Sequence, residues 1–533
     1  MNWDPLEYPY PSRRRVIYAK KGMIATSQPL AAQAGLEILK KGGNAIDAAI
    51  ASAAALTVLE PTSNGIGGDA FALLWHGGDL HGLNSSGPAP SAISIETLNE
   101  EGYDEMPKVG WGPVTVPGVP AAWATLSDRF GELPLTEILK PAVEYAEEGY
   151  PLSPILGKSW KHAYEYYKKQ EGEQFKHWFE TFAPNGRPPE IGEVWKSPDH
   201  AETLRSIAET KSRAFYEGKL AEKIDEFSKE YDGYLTKADL AAFQPEWVNP
   251  IKVTYRGYDV WELPPNGQGL IALMALNILK GFEFECKDTV KAYHRQIEAL
   301  KLAFADGKEF ITDPEFMKVK VRELLSESYA ETRRALIGKE ALKPRPGKPT
   351  EGETVYLATA DKNGNMVSYI QSNYMGFGSG LVVPETGIAL QNRGHLFSLD
   401  PSDANVLKPG KRTYHTIIPG FLTTNDKPVG PFGVMGGYMQ PQGHLQVIMN
   451  MIDFNLNPQA ALDAPRWRWT DSKHVVVEHS FPKYLAKALT SRGHNIRYAL
   501  HSGGFGRGQI IWKDNNVFAG GSEPRTDGQI AAW

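Results

Sequence analysis

The sequence predicts an α+β fold, a sheet core with helices packed outside it. Three observations carry that expectation. Two alanine- and leucine-rich helical segments open the chain, residues 155–245 are polar and helical in tendency, and the texture beyond residue 354 is strand-rich and punctuated by glycine. The length, 533 residues, allows several ordinary domains or one large α/β body.

Residues 29–39, PLAAQAGLEIL, form the first helix, and Lys40-Lys41-Gly42-Gly43 ends it with glycine available for a left-handed cap. Asn44 starts a second helix, with Asp47 in the first turn, where a carboxylate suits the helix dipole. That helix is nearly apolar over 48–58, so it is buried and not amphipathic at a surface. Pro61 stops it. Residues 62–71, TSNGIGGDAF, read as a glycine loop that approaches something closely, followed by the strand FALLW. The loop lacks the Lys-Ser/Thr pair of an ATP loop, and its strand follows the glycines instead of preceding them. Residues 110–120 form a Gly/Pro loop, and 121–130 and 134–148 form helices. Thr236, with Asp239 at the third position after it, caps a further helix. Strands at 251–255 and 258–263 lead through a Pro-Pro-Asn-Gly turn into an apolar helix, 270–279, and a longer helix over 289–305. Gly436-Gly437 lies between Phe432 and a helix over 443–453, and residues 474–478, 508–512 and 517–518 are strands.

The net charge of −6 is spread over a large surface, which disfavours nucleic acid as a partner. Arg13-Arg14-Arg15 is too short to change that. One cysteine, Cys286, allows no intrachain disulfide, and beside Phe282 and Phe284 it is expected as a small buried hydrophobe. Residues 1–10 lack the apolar core of a signal peptide, and no apolar run is long enough to span a bilayer. No membrane partner and a cytoplasmic location are the expectations. The 13 histidines are dispersed without a metal-ligand spacing, so no metal and no cofactor are expected.

The chemistry centres on Thr354, in the run EGETVYLATAD that follows the linker Lys343-Pro344-Arg345-Pro346-Gly347-Lys348-Pro349. Alternating residues lead from it to the tight turn Asp361-Lys362-Asn363-Gly364-Asn365. A β-branched residue opening a strand is ordinary. The sharper reading is that the chain cuts itself before Thr354 and exposes an amine beside a hydroxyl. An α-amine has a pKa of about 8, so it can serve as the base for its own hydroxyl near neutral pH. Within an uncut chain the same nitrogen is an amide and no base. Two other clusters stand out, Gly376-Phe377-Gly378-Ser379-Gly380 and Gly436-Gly437; a Gly-Gly pair alone is read first as a turn.

In combination these segments resemble the gamma-glutamyltranspeptidase (glutathione hydrolase) family of N-terminal-nucleophile hydrolases. The resemblance runs from about residue 21 to 533. It rests on Lys41-Gly42-Gly43-Asn44-Ala45-Ile46-Asp47, Gly65-Ile66-Gly67-Gly68, Val116-Pro117-Gly118 and Ala214-Phe215-Tyr216-Glu217-Gly218, with Gly378-Ser379-Gly380, Pro409-Gly410-Lys411-Arg412 and Asp463-Ala464-Pro465-Arg466 later in the chain. It implies a four-layer α/β/β/α fold and cleavage between Glu353 and Thr354. Fragments 1–353 and 354–533 would stay associated as one domain. It further implies Thr354 as nucleophile and amine base, Ser372 as hydrogen-bond partner of the nucleophile's amine, and the Gly436 and Gly437 N–H groups as the oxyanion hole.

The head-group positions depart from the family pattern. Ser86 stands where an arginine holds the glutamyl α-carboxylate. Leu396 replaces the aspartate that binds the α-amino group, Arg393 falls at a Glu/Gln position, Tyr374 replaces an asparagine, and His415 and Thr416 replace paired serines. An ammonium near Arg393 and Leu396 would meet a positive charge, and burying it unpaired costs several kcal/mol. Arg393 is suited to receive a carboxylate bidentately. The pocket therefore fits an acyl group without an α-amine, as in the cephalosporin (glutaryl) acylase branch. The expected partners are a small amide substrate and water or an acceptor amine, with a homo-oligomer left open. Two alternatives stay open at this level: a glutathione hydrolase with altered head-group recognition, and an uncut, non-catalytic binding or scaffold homologue.

Overall fold

The computed structural model describes residues 9–12, 14–344 and 352–533. Arg13, most of the 343–349 linker and most of the N-terminal segment read above lie outside the described residues. Two seven-stranded sheets form the centre. One runs, in spatial order, Gln529–Ala532, Gly22–Thr26, Glu353–Asp361, Met366–Tyr374, Asp69–His76, Asp79–Ser85 and Glu246–Val248. The other runs Ile17–Ala19, Val517–Ser522, Arg507–Asp514, Lys427–Met435, Gly420–Thr424, Tyr258–Glu262 and Ile251–Tyr255. All neighbours in both sheets are antiparallel.

The sheets face each other across Phe71, Tyr356, Ile370, Phe421 and Ile511. Helices cover each outer face. The helices Pro29–Lys40 and Ala45–Leu59 lie over the first sheet, and Gly269–Leu279, Val290–Phe310 and Met439–Ile452 over the second. This is the expected α/β/β/α order. Every residue of Ala45–Leu59 is buried, and Asn44 and Asp47 close its N-terminus as a reciprocal capping box. Thr236 and Asp239 do the same for Lys237–Ala242. The glycine loop at 65–68 approaches protein backbone: a Cβ on Gly68 would lie 2.6 Å from the Ser372 carbonyl oxygen. No phosphate-like space is needed to explain it.

Three expectations need correction. Of residues 354–430, expected to be strand-rich, 375–419 lie outside the named strands. They form an irregular loop held by isolated bridges and by side-chain bonds such as Met375 N–H to Asn392 Oδ1 at 3.1 Å. Its glycines take positive φ at 376, 378, 380 and 387, which breaks the alternation a strand needs. The helix expected over 289–305 runs to Phe310, with Thr289 as its cap. Cys286 is exposed, because the segment 281–289 turns at the surface and its neighbours Phe282 and Phe284 are only partly buried. Among the described residues, no helix is long and apolar enough to cross a membrane.

Candidate active site

Thr354 is the second residue of Glu353–Asp361. Side chains alternate along a strand. Val355 and Leu357 pack into the outer helical layer, whereas Tyr356, Ala358 and Ala360 pack between the sheets. Parity turns Thr354 to the inter-sheet side. On the adjacent strand Met366 and Ile370 face the same way, and Ser372 follows. The two strands stay in register from Ala360–Met366 to Val355–Gln371, then slip by one residue before Glu353–Tyr374. That irregularity sits at Thr354, and bulges of this kind re-aim side chains.

Thr354 Oγ1 donates to Ser372 Oγ at 3.2 Å. The Ser372 hydroxyl donates to the carbonyl oxygen of Glu353 at 2.7 Å and accepts from the Tyr374 N–H at 2.8 Å. One hydroxyl thus connects the Thr354 hydroxyl to the carbonyl just before it. Gln440 Nε2 reaches Thr354 Oγ1 from 3.5 Å, while Gln440 Oε1 accepts from the Ile418 N–H at 2.9 Å. The Glu353 carboxylate accepts from Ser63 Oγ at 3.3 Å.

Gly436 and Gly437 come from the opposite sheet, between the strand Lys427–Met435 and the helix Met439–Ile452. Their φ values are +130° and +56°, conformations in which a side chain is strained. Among the described residues, neither N–H finds an acceptor. Gln268 Nε2 fixes the turn by donating to the carbonyls of Gly437 at 2.9 Å and Thr416 at 2.6 Å. A Cβ on Gly437 would lie 2.7 Å from the Gly352 nitrogen. The segment entering Thr354 therefore crosses this turn.

Arg393 is 1 % exposed. Its Nη1 donates to Thr416 Oγ1 at 2.7 Å, its guanidinium lies 4.7 Å from the Tyr374 ring centroid, and its Nε stands 3.9 Å from Asp69 Oδ2. Nε and Nη2 are buried without hydrogen-bond partners among the described residues. Burial lowers the Arg393 pKa to about 10, with Asp69 opposing the shift, so the group stays charged at neutral pH. Tyr374 holds φ at +75°, an uncommon backbone for a bulky residue, and its ring also packs against Gly352.

Asp69 is the hub that composition did not reveal. Its carboxylate accepts from Gln391 Nε2 at 2.8 Å, from the Gly87 N–H at 3.3 Å and from His415 Nε2 at 2.9 Å. His415 Nδ1 accepts from the Ile417 N–H at 3.3 Å, so the proton resides on Nε2. Both ring nitrogens are engaged within the protein, and the ring packs on Phe71 at 4.7 Å. Burial pushes the Asp69 carboxyl up to about 7, against the nearby Arg393. Burial and Arg393 hold His415 well below its usual range, in its neutral form.

The Ser86 side chain is not brought to Arg393. Its Oγ donates to Asn84 Oδ1 at 2.7 Å and accepts from Asn266 Nδ2 at 3.2 Å. Arg412 ties the same loop through Ser86 O at 2.9 Å and pairs with Glu246 at 2.6 Å. Elsewhere, His294, Glu298 and His494 come together as a group that could hold a metal ion. The sequence hid it, because His494 is 200 residues from His294. Lys301 Nζ lies 2.7 Å from Glu298 Oε1 and already supplies a cation there.

Four further site residues escaped the sequence reading: Asp69, Gln268, Gln440 and Tyr438. Only Gln440 and Tyr438 carried a usable signal, their position just after Gly436-Gly437.

The family model for gamma-glutamyltranspeptidase matches residues 31–533. The crystal structure of a cephalosporin acylase from Bacillus halodurans superimposes with a TM-score of 0.96 and 65% sequence identity, covering 99% of each chain. The glutathione hydrolase-like YwrD proenzyme of Bacillus subtilis is 35% identical over 522 residues, 96% of this chain and 98% of its own. The oxamate amidohydrolase proenzyme of Klebsiella pneumoniae is 33% identical over 526 residues, 96% of this chain and 98% of its own. The relatives and the stacked-sheet site agree: this chain belongs to the gamma-glutamyltranspeptidase family of N-terminal-nucleophile hydrolases.

Proposed function

We propose that the chain cuts itself between Glu353 and Thr354 and that the new N-terminal threonine hydrolyses half-amides of small dicarboxylic acids. In the uncut chain Thr354 Oγ1 attacks the Glu353 carbonyl carbon while its proton passes toward Ser372. The Ser372 hydroxyl polarises that carbonyl from 2.7 Å. The C–O bond forms, the C–N bond breaks and the nitrogen takes a proton. Water then hydrolyses the ester, leaving a carboxylate on Glu353 and a free amine and hydroxyl on Thr354. Fragments 1–353 and 354–533 stay together in this reading. The strand Glu353–Asp361 pairs with Gly22–Thr26, and Met366–Tyr374 pairs with Asp69–His76.

In turnover the amine accepts the hydroxyl proton, Oγ1 attacks the substrate carbonyl, and the Gly436 and Gly437 N–H groups receive the oxyanion. The protonated amine gives its proton to the leaving nitrogen. Water, or an acceptor amine, then releases the acyl group. No cofactor enters any step.

The observation that carries the substrate class is Arg393, buried and charged, with two nitrogens lacking an acceptor. A glutamyl ammonium would need a carboxylate there. Asp69, the carboxylate beside Arg393, already accepts three hydrogen bonds and faces the guanidinium. Thr416 and Tyr374 line Arg393, His415 acts on it through Asp69, and Ser86 is held away from it by Asn84 and Asn266. The relatives support this class: oxamate is itself the half-amide of a dicarboxylic acid. A panel of glutaryl and γ-glutamyl anilides tests it. Glutaryl is expected to give the higher kcat/KM, and a strong preference for γ-glutamyl would establish a glutathione-hydrolase-like head-group site instead.

The Asp69 carboxyl adds a pH signature. Below about 7 it takes up a proton and leaves Arg393 without its internal counter-charge. Above that pH it is ionised and partly neutralises Arg393. A substrate carboxylate, pKa about 4.3, is ionised throughout this range. The preference for glutaryl over an uncharged acyl group should therefore fall as pH rises from 6 to 8, read as a ratio of kcat/KM values. The ratio cancels the titration of the threonine amine near about 8. Asp69→Asn should flatten it.

A further inference from the structure

Acyl recognition and oxyanion stabilisation use Arg393 and the Gly436-Gly437 turn, which leaves the amine half of the substrate without a partner. The next residue along the chain is Tyr438. Its ring stacks on Tyr414, with centroids 5.8 Å apart and planes at 25°, and it lies near the Arg393 guanidinium. Lys308 Nζ stands 5.1 Å from the Tyr438 ring centroid. Lys308 and Phe304 sit one turn apart on the helix Val290–Phe310, and Phe304 also reaches Tyr438, at 6.3 Å. The ring is thus held by Phe304 and Tyr414 while the lysine lies over it.

Among the described residues the Lys308 ammonium makes no ion pair and no hydrogen bond, and it faces the Tyr438 ring. Burial lowers its pKa to about 8, with no neighbouring carboxylate to oppose the shift. A half-buried ammonium facing only a ring is under-compensated, because a cation–π contact replaces only part of its lost hydration. Arg412 and Lys411, the other cations of this region, are already spent: Arg412 on Glu246, and Lys411 on the carbonyls of Ala404 and Val406.

We propose that Lys308 and Tyr438 form a leaving-group subsite that binds a carboxylate on the amine half of the amide. The proposal rests on Thr354 and Arg393 acting as described above. It makes the preferred substrate a dianion, with one carboxylate on the acyl group for Arg393 and one on the leaving amine for Lys308. Amides joining a short dicarboxylic acid to an amino acid or to another amine carrying a nearby carboxylate fit this description.

Two glutaryl anilides that differ only in a ring carboxylate, the 4-nitroanilide and the 3-carboxy-4-nitroanilide, test it. The mature enzyme should favour the carboxylated anilide by about fivefold in kcat/KM at low salt. Lys308→Gln should bring the ratio close to one, and Lys308→Arg should retain it. Arg393→Lys should lower both substrates together and leave the ratio standing, so failure of the acyl assignment shows itself separately. If glutaryl donors are turned over poorly, the same pair is run on the γ-glutamyl donor. A ratio that Lys308→Gln does not change, or equal losses on both anilides, overturns the subsite and leaves Lys308 a packing residue.

Discussion

Thr354→Ala should stay a single chain of 58.9 kDa and lose amide turnover by at least about 10⁴-fold. The substitution removes the one oxygen placed to attack both the Glu353 carbonyl and the substrate. It leaves the fold's other bonds in place, including Ser372 Oγ to Glu353 O at 2.7 Å. Thermal unfolding of the variant should accordingly remain cooperative, so lost activity will not reflect lost structure. Thr354→Ser keeps the hydroxyl and should still mature, more slowly, because the methyl group that restricts χ1 is gone. Gel analysis of freshly purified protein over hours reads both outcomes. Efficient cleavage in Thr354→Ala would mean that another group cuts the chain.

The second large effect belongs to Arg393. Arg393→Lys keeps a cation but loses the planar fork that matches a carboxylate. Arg393→Met removes the charge as well; without its cation the Asp69 carboxyl, already raised to about 7, moves up further and takes a proton at neutral pH, which limits the stability cost to about 1 to 3 kcal/mol. Adding Asp69→Asn should recover most of that stability without recovering activity. For a carboxylated acyl group the loss on Arg393→Met should be about 2 to 5 kcal/mol in transition-state binding, which is roughly 30-fold to several thousandfold in kcat/KM. An uncharged acyl group should lose far less. Denaturation curves for the single and double variants, run beside the two substrates, separate the structural part of the effect from the recognition part.

The protein is an N-terminal-nucleophile hydrolase, and much of its frame was legible in the chain. Ala45–Leu59 announced itself by composition and by Asn44 and Asp47, because a wholly buried helix needs apolar residues on every face. Ser372 was singled out by the family resemblance alone, and the pairing of its strand with that of Thr354 brings the two hydroxyls to 3.2 Å. The recognition site was harder to read. Asp69 and Arg393 meet at 3.9 Å although they lie 324 positions apart in the chain, and no local periodicity encodes such a contact. Asp69 read as one more residue of a glycine loop. Lys308 lies beyond the helix end expected at residue 305 and carried no signal in the sequence; the fold brings Tyr438 against it. The 375–419 loop misled for a related reason. Its apolar residues are buried as in a strand, but its backbone bonds go to side chains and isolated bridges.

The central claim is that cleavage before Thr354 creates the nucleophile that carries the acyl group. Intact-mass spectrometry under denaturing conditions, on wild-type protein quenched within seconds of mixing with a glutaryl anilide, tests it most directly. Two polypeptides, residues 1–353 and 354–533, should appear, with the glutaryl increment on the second alone and lost as turnover completes. A catalytically active chain that remains uncut, or an acyl increment on the 1–353 fragment, would contradict it.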